Sequence, residues 1–136
     1  MSTRGFTCNA SSEYSLGYTC SKAYDSDHGT EWAAKNEGPS AWIEIQLPEY
    51  AELSKIEIRN RNRFPSENFK DITLSFADGT SQPAHLTIGF RPEWNIIALS
   101  PSAKTNSVKI SATSVHGAHV NPGFSEIRFY SCASMT

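Results

Sequence analysis

The stretch Trp42-Ile43-Glu44-Ile45-Gln46-Leu47 places Ile43, Ile45 and Leu47 on one side of an extended chain and Glu44 and Gln46 on the other. Side chains of a strand alternate between its two faces, so this spacing of two marks a half-buried strand. The same period returns along the chain. Ile56 and Ile58 alternate with Lys55, Glu57 and Arg59; Ile72, Leu74 and Phe76 with Thr73 and Ser75; Val108 and Ile110 with Lys109 and Ser111; Ile127 and Phe129 with Glu126, Arg128 and Tyr130. Shorter strands are expected over residues 84–88 and 95–99. Asp78-Gly79 supplies the positive φ of a hairpin turn. Gly38-Pro39, Pro48, Pro65, Pro92, Pro101 and Pro122-Gly123 punctuate the runs. No helical stripe exceeds a turn or two, around residues 21–34. Many short strands with such punctuation predict an all-β antiparallel sandwich of two sheets, with Trp32 and Trp42 in its core.

The chain has 136 residues, enough for one domain with one core and no internal repeat. With 38% hydrophobic and 11% aromatic residues it is too apolar for disorder. Twelve Lys and Arg face fourteen Asp and Glu, a net charge of −2, so no broad positive field exists to hold a nucleic-acid backbone. No apolar run is long enough to span a bilayer as a helix. The opening Met1-Ser2-Thr3-Arg4-Gly5-Phe6-Thr7 has no apolar signal region, which fits either an intracellular protein or a domain excised from a larger one with an added methionine. No G-x-S-x-G, H-E-x-x-H or P-loop pattern occurs, so no catalytic residue is assigned and Asp78 reads as a turn former.

Three cysteines are present. Cys8 and Cys20 bracket a Ser- and Tyr-rich loop, and a bridge across it would remove about 3 kcal/mol of unfolded-state entropy. The alternative is three inert thiols in a reducing compartment. Asp25, Asp27 and Thr30 fall close together in a turn-like segment, and hard cations take carboxylates and carbonyls on tight turns. A solvated acidic turn, with Asp25 capping the backbone that follows, is the alternative. Arg59-Asn60-Arg61-Asn62-Arg63-Phe64-Pro65-Ser66-Glu67-Asn68 crowds guanidiniums beside amides and one ring. Directional donors suit vicinal sugar hydroxyls, and a ring face suits the C–H patch of a sugar. An exposed face paired with Glu57 and Glu67 would explain the same residues. His116 and His119 are candidates for pH-sensitive hydrogen bonds to a ligand.

Four stretches together resemble the discoidin family, the coagulation factor 5/8 type C domains among the galactose-binding-like jelly rolls. They are Ala23-Tyr24-Asp25-Ser26-Asp27-His28-Gly29-Thr30-Glu31-Trp32, Ala41-Trp42-Ile43-Glu44-Ile45-Gln46-Leu47, Phe69-Lys70-Asp71-Ile72-Thr73-Leu74-Ser75-Phe76-Ala77-Asp78-Gly79, and Ser114-Val115-His116-Gly117 through Gly123-Phe124-Ser125-Glu126-Ile127. The resemblance implies a non-catalytic, usually extracellular or cell-surface binding module whose loops at one end take a sugar, an anionic lipid or a protein. It puts Arg61 in the place of the sugar-gripping arginine, with Asn36, Glu37, Asn62, Arg63, Phe64, Asn68, His116 and His119 around it. The fucose-binding branch has a histidine where residues 34–36 stand here, so its full set is not matched. A structural Ca2+ is implied, held by Asp25, Asp27, Thr30, Glu126 and the carbonyls of Lys22 and Ser125. Family members often bridge their two chain ends; here Cys8 lies within what resembles the first strand, which favours Cys8–Cys20 with Cys132 free. A glycan or glycoconjugate is the expected partner. Anionic phospholipid, met through Tyr14, Leu16, Tyr18, Phe64 and Phe90-Arg91, or a cell-adhesion protein partner is the alternative, and nucleic acid is excluded. Arg61→Ala is expected to abolish binding while leaving stability almost unchanged.

Overall fold

Apolar alternation becomes seven strands: β1 (Thr7–Ala10), β2 (Trp32–Ala33), β3 (Trp42–Asn60), β4 (Asp71–Phe76), β5 (Ser81–His85), β6 (Asn95–Ala112) and β7 (Gly123–Ser131). The structure, a computed structural model, describes residues 1–27, 29–61, 68–87, 94–117 and 121–131. All ladders are antiparallel, in the order β2-β7-β3-β6-β4-β5, with β1 on β3. Short 3₁₀ turns at Leu16–Tyr18, Cys20–Tyr24 and Gly38–Ser40 are the helical elements among the described residues.

The ladders join into one sheet rather than two separate ones, and the reason lies in β3 and β6. The first part of β3, residues 42–46, pairs with β1 and with residues 107–111 of β6. The second part, residues 55–60, pairs with residues 95–98 of β6 and with β7. Register shifts between Gln46 and Ala51 and between Leu53 and Lys55 separate the two parts. Such irregularities bend a strand and sharpen its twist. Ile43 and Ile45 from one part and Ile56 and Ile58 from the other are all fully buried in a single core with Ile72, Leu74, Val108, Ile110 and Ile127. One sheet can enclose both sets only by folding over on itself. The architecture is an all-β jelly roll whose two layers share two long strands.

Some local expectations are corrected. Pro48 and Pro101 lie inside β3 and β6 instead of between strands; Pro48 sits at the register shift, where no ladder bond is lost. The strand expected over residues 84–88 begins earlier, as β5, ends at His85 and is stepped on β4 from Asp71↔His85 to Ser75↔Ser81; Ile88 lies outside the described residues. Trp42 is not core: its neighbours Ile43 and Ile45 take the inner face, and Lys109 lies over its ring at 4.5 Å. Trp32 is fully buried, stacked on Phe69 and tilted against Phe124 at centroid distances of 6.0 and 5.7 Å. Asp78 does form its turn, accepting from the Thr80 N–H and hydroxyl, beside Gly79 at φ +88°. Cys8 and Cys20 are joined by a disulfide that ties β1 to the 3₁₀ turn Cys20–Tyr24; Cys132 lies outside the described residues.

Candidate functional site

At one end of the sheet, β3 finishes at Asn60, β7 starts at Gly123 and β2 pairs beside it, so the segments leaving these strands must meet. Asn60 is buried and fastens two of them: its amide N–H donates to Phe69 O and Thr87 O, and its Oδ1 accepts from the Phe69 N–H. The indole N–H of Trp32 donates to Ser12 O at 3.0 Å, and the Tyr14 N–H to Ala33 O at 2.7 Å, which fixes the loop over residues 12–18. Ser12 donates to Lys35 O and to the Glu37 carboxylate.

Arg61 lies at the junction. Its Nε donates to Glu31 Oε1 at 2.8 Å and its Nη1 to Asn121 O at 2.9 Å. The guanidinium carbon stands 5.5 Å from the Tyr18 ring centre. Asn121 Oδ1 in turn accepts from the Asn36 N–H at 2.8 Å, and Asn36 takes φ +58°, a left-handed conformation asparagine tolerates. The Arg61 side chain thus links the segments at residues 18, 31 and 121, and the Asn121 side chain adds the segment at residue 36. Both Arg61 and Glu31 are nearly buried, with 7% and 9% of their side chains exposed. An ion pair buried this deeply argues against the expectation that Arg61→Ala spares stability, because the change removes one half of it.

Asn68 forms a bridge with Gly123 on the same side. Its side chain is wholly buried, and neither half of the amide has a partner. Leaving such a group unpaired costs about 1–3 kcal/mol unless a water or a ligand hydroxyl pairs it. The His116 N–H donates to Asn68 O, but the imidazole turns elsewhere, its Nε2 on Leu86 O at 2.8 Å. The outer rim carries Tyr14 against Tyr18 at 5.5 Å, edge to face, with Leu16 between them 93% exposed. Asn62, Arg63, Phe64, Phe90, Arg91 and His119 lie outside the described residues. Glu31, Asn60 and Asn121 were not singled out from sequence; the position of Glu31 directly before the buried Trp32 was the available signal.

The acidic turn precedes Glu31 of the Arg61 junction in sequence. Asp25 accepts from the Asp27 N–H at 3.0 Å and from the Thr30 hydroxyl; Asp27 accepts from the Gly29 N–H, and its carbonyl from Thr30. Ser26, at φ +63°, donates its N–H to Glu126. Glu126 is buried with Oε1 unpartnered, and burial with the nearby Asp25 charge pushes its carboxyl up to about 7. Among the described residues no three His, Cys, Asp or Glu side chains gather to hold a metal by themselves. A hard cation would therefore draw on carbonyls as well. An orphaned carboxylate oxygen beside a second carboxylate fits that need.

A family model described as a domain of unknown function (DUF7402) matches residues 3–130. No curated protein sequence matches the chain. Among solved structures, the F5/8 type C domain of a Bacteroides fragilis protein is 14% identical, with a TM-score of 0.81, over 96% of this chain and 94% of that one. The family 32 carbohydrate-binding module (CBM) of Clostridium perfringens NanJ, solved with galactose, is 18% identical with a TM-score of 0.75, over 91% of this chain and 92% of that one. A further Clostridium perfringens family 32 module, solved with GalNAc-β-1,3-galactose, is 18% identical with a TM-score of 0.77, over 93% and 95% of the two chains. The fold is the discoidin-like jelly roll of these domains.

Proposed function

From the premise that this chain belongs to the family described as domain of unknown function DUF7402, we propose that it is a non-catalytic carbohydrate-binding module acting outside the cell or at its surface. The observation that carries this reading is the Arg61 junction, which makes one rigid platform from several loops and leaves Tyr14, Tyr18 and the amides of Asn36 and Asn121 at its rim. Ring faces and amides are what a sugar needs: C–H contact and directional partners for hydroxyls. Arg61, committed to Glu31 and Asn121, holds the platform and presents Tyr18. Asn36, Glu37 and Asn68 complete the polar set, with Asn62, Arg63, Phe64 and His119 on the adjoining segments. That similar folds were solved with galactose and GalNAc-β-1,3-galactose supports this class of ligand. A structural Ca2+ belongs to the reading: Asp25, Asp27, Thr30, Glu126 and the carbonyls of Lys22 and Ser125 would hold it, and it would supply charge neutralisation to the buried Glu126.

A glycan array with and without EDTA tests the proposal. Saturable binding blocked by a free monosaccharide, and weakened by Tyr18→Ala or Asn36→Ala without loss of fold, is the expected result. The full exposure of Leu16 between two tyrosines favours a second reading, insertion of this tip into an anionic lipid surface. Co-sedimentation with phosphatidylserine vesicles that is lost in Leu16→Ser, together with a blank array, would replace the first reading by the second.

A further inference from the structure

Two imidazoles stand side by side where the end of β5 meets the segment after β6. His85 and His116 have ring centres 6.2 Å apart, at 73° to each other. Each ring has one nitrogen already committed, and the partner fixes which. His116 Nε2 lies 2.8 Å from Leu86 O. A carbonyl only accepts, so Nε2 carries a proton, and in the neutral ring Nδ1 keeps its lone pair. His85 Nδ1 lies 2.9 Å from Asp71 Oδ1. The other oxygen of Asp71, Oδ2, accepts from the Ser114 hydroxyl. Asp71 accepts as a carboxylate and Nδ1 of His85 donates, so in the neutral ring Nε2 keeps the lone pair.

The supports of both rings are themselves fixed. The Ser114 hydroxyl donates to Asp71 Oδ2 at 2.8 Å, and the Thr113 N–H to Asp71 O at 2.8 Å. The Leu86 N–H donates to Lys70 O, the Lys70 N–H to Ser114 O, and the His116 N–H to Asn68 O. Metal-bound histidines almost always donate their second N–H to a carboxylate or a backbone carbonyl, which sets the tautomer and the ring plane. His85 has the first kind of partner and His116 the second. With metal–nitrogen bonds of about 2.0–2.1 Å, two imidazoles on one ion have ring centres about 5 Å apart at a tetrahedral angle and about 6.4 Å apart when opposite each other, so the separation of 6.2 Å fits two ligands nearly trans to one another. His85 is well exposed, so an ion has access from solvent.

We propose that Nε2 of His85 and Nδ1 of His116 form a two-histidine site for one divalent transition metal of the class imidazole suits, Cu2+, Ni2+ or Zn2+, with water filling the remaining positions. The Irving–Williams order makes Cu2+ the tightest of the three. The site shares no side chain with the sugar set or the Ca2+ set proposed above, and its imidazole nitrogens are ligands that Ca2+ would not choose.

The test is titration of the full chain with Zn2+, Ni2+ and Cu2+ salts in the presence of excess Ca2+, followed by calorimetry, with ring-nitrogen NMR in the Zn2+ arm. One equivalent per chain is expected, with Cu2+ tightest. His85→Ala and His116→Ala should each weaken it at least tenfold, and His28→Ala should leave it unchanged. Asp71→Asn, which keeps both ligands, should weaken it 10–100-fold. Zn2+ should shift His85 Nε2 and His116 Nδ1. Wild-type affinity in either single-histidine variant, shifts at the opposite ring nitrogens, or no saturable binding below millimolar metal would overturn the proposal.

Discussion

Arg61 joins loops by giving its donors to Glu31 and to the Asn121 carbonyl, and both charged partners are almost out of water. Removing one member of a buried pair leaves the other uncompensated, at about 3–5 kcal/mol. Arg61→Ala should therefore lower stability by about that much, and Glu31→Ala/Arg61→Ala should lose clearly less than the sum of the two single changes. Urea unfolding of the four proteins measures the coupling, and additive effects would mean the ion pair holds nothing. Glu126 gives a pH signature. Its folded carboxyl titrates at about 7 against an ordinary value of 4.5, so between those values the folded state holds a proton the unfolded state has lost. Its stabilising contribution is complete below about 4.5 and is lost as pH rises through about 7. In EDTA the melting temperature should fall across that window, and Glu126→Gln should flatten the slope. Adding Ca2+ at pH 8 should restore the wild type and leave the variant unmoved.

Between elements, β2 and β7 approach closely at Gly123. A Cβ on Gly123 would lie 1.8 Å from Trp32 O and 2.8 Å from the Ala33 Cα. Both obstacles are backbone and cannot swing away. Gly123→Ala should cost about 3 kcal/mol, the upper part of the usual overpacking range, by forcing β2 off β7. Because β2 leads into Ala34, whose N–H donates to Pro122 O, the same change should weaken ligand binding. Thermal melts beside a sugar titration would register both, and a variant melting with wild type contradicts the packing argument. This contact explains what could be read from the chain and what could not. Ile43, Ile45 and Leu47, or Ile72, Leu74 and Phe76, declare their strands because burial on one face imposes a period of two. Pro48 and Pro101 concealed the continuity of β3 and β6, since a proline marks a turn and a tolerated strand irregularity alike. Trp42 faces outward by the parity of its own strand, yet its size alone suggests core. For Arg61, β3 ends at Asn60, so strand parity no longer governs where the next side chain points. Its partners Glu31 and Asn121 come from distant segments that only the closed sheet brings together.

For the molecule as a whole, the decisive feature is that the two layers share β3 and β6. Ile45 lies in the part of β3 that pairs with β1, and Ile56 in the part that pairs with β7. Both are fully buried in one cluster of apolar residues. Were the layers separate units, loss of packing in one would leave the other to melt by itself. Since each layer is half of the same strands and the core lies between them, neither has a face to bury alone. Ile45→Ala and Ile56→Ala should each cost about 2–5 kcal/mol, the range for truncating a large buried aliphatic side chain. Each should move the entire unfolding transition downward without splitting it. Calorimetry distinguishes the outcomes, because a two-state transition has equal calorimetric and van't Hoff enthalpies. Two resolved peaks in either variant would mean the layers fold independently, and a loop platform built on β3, β7 and β2 would then lose the rigidity on which presentation of a sugar depends.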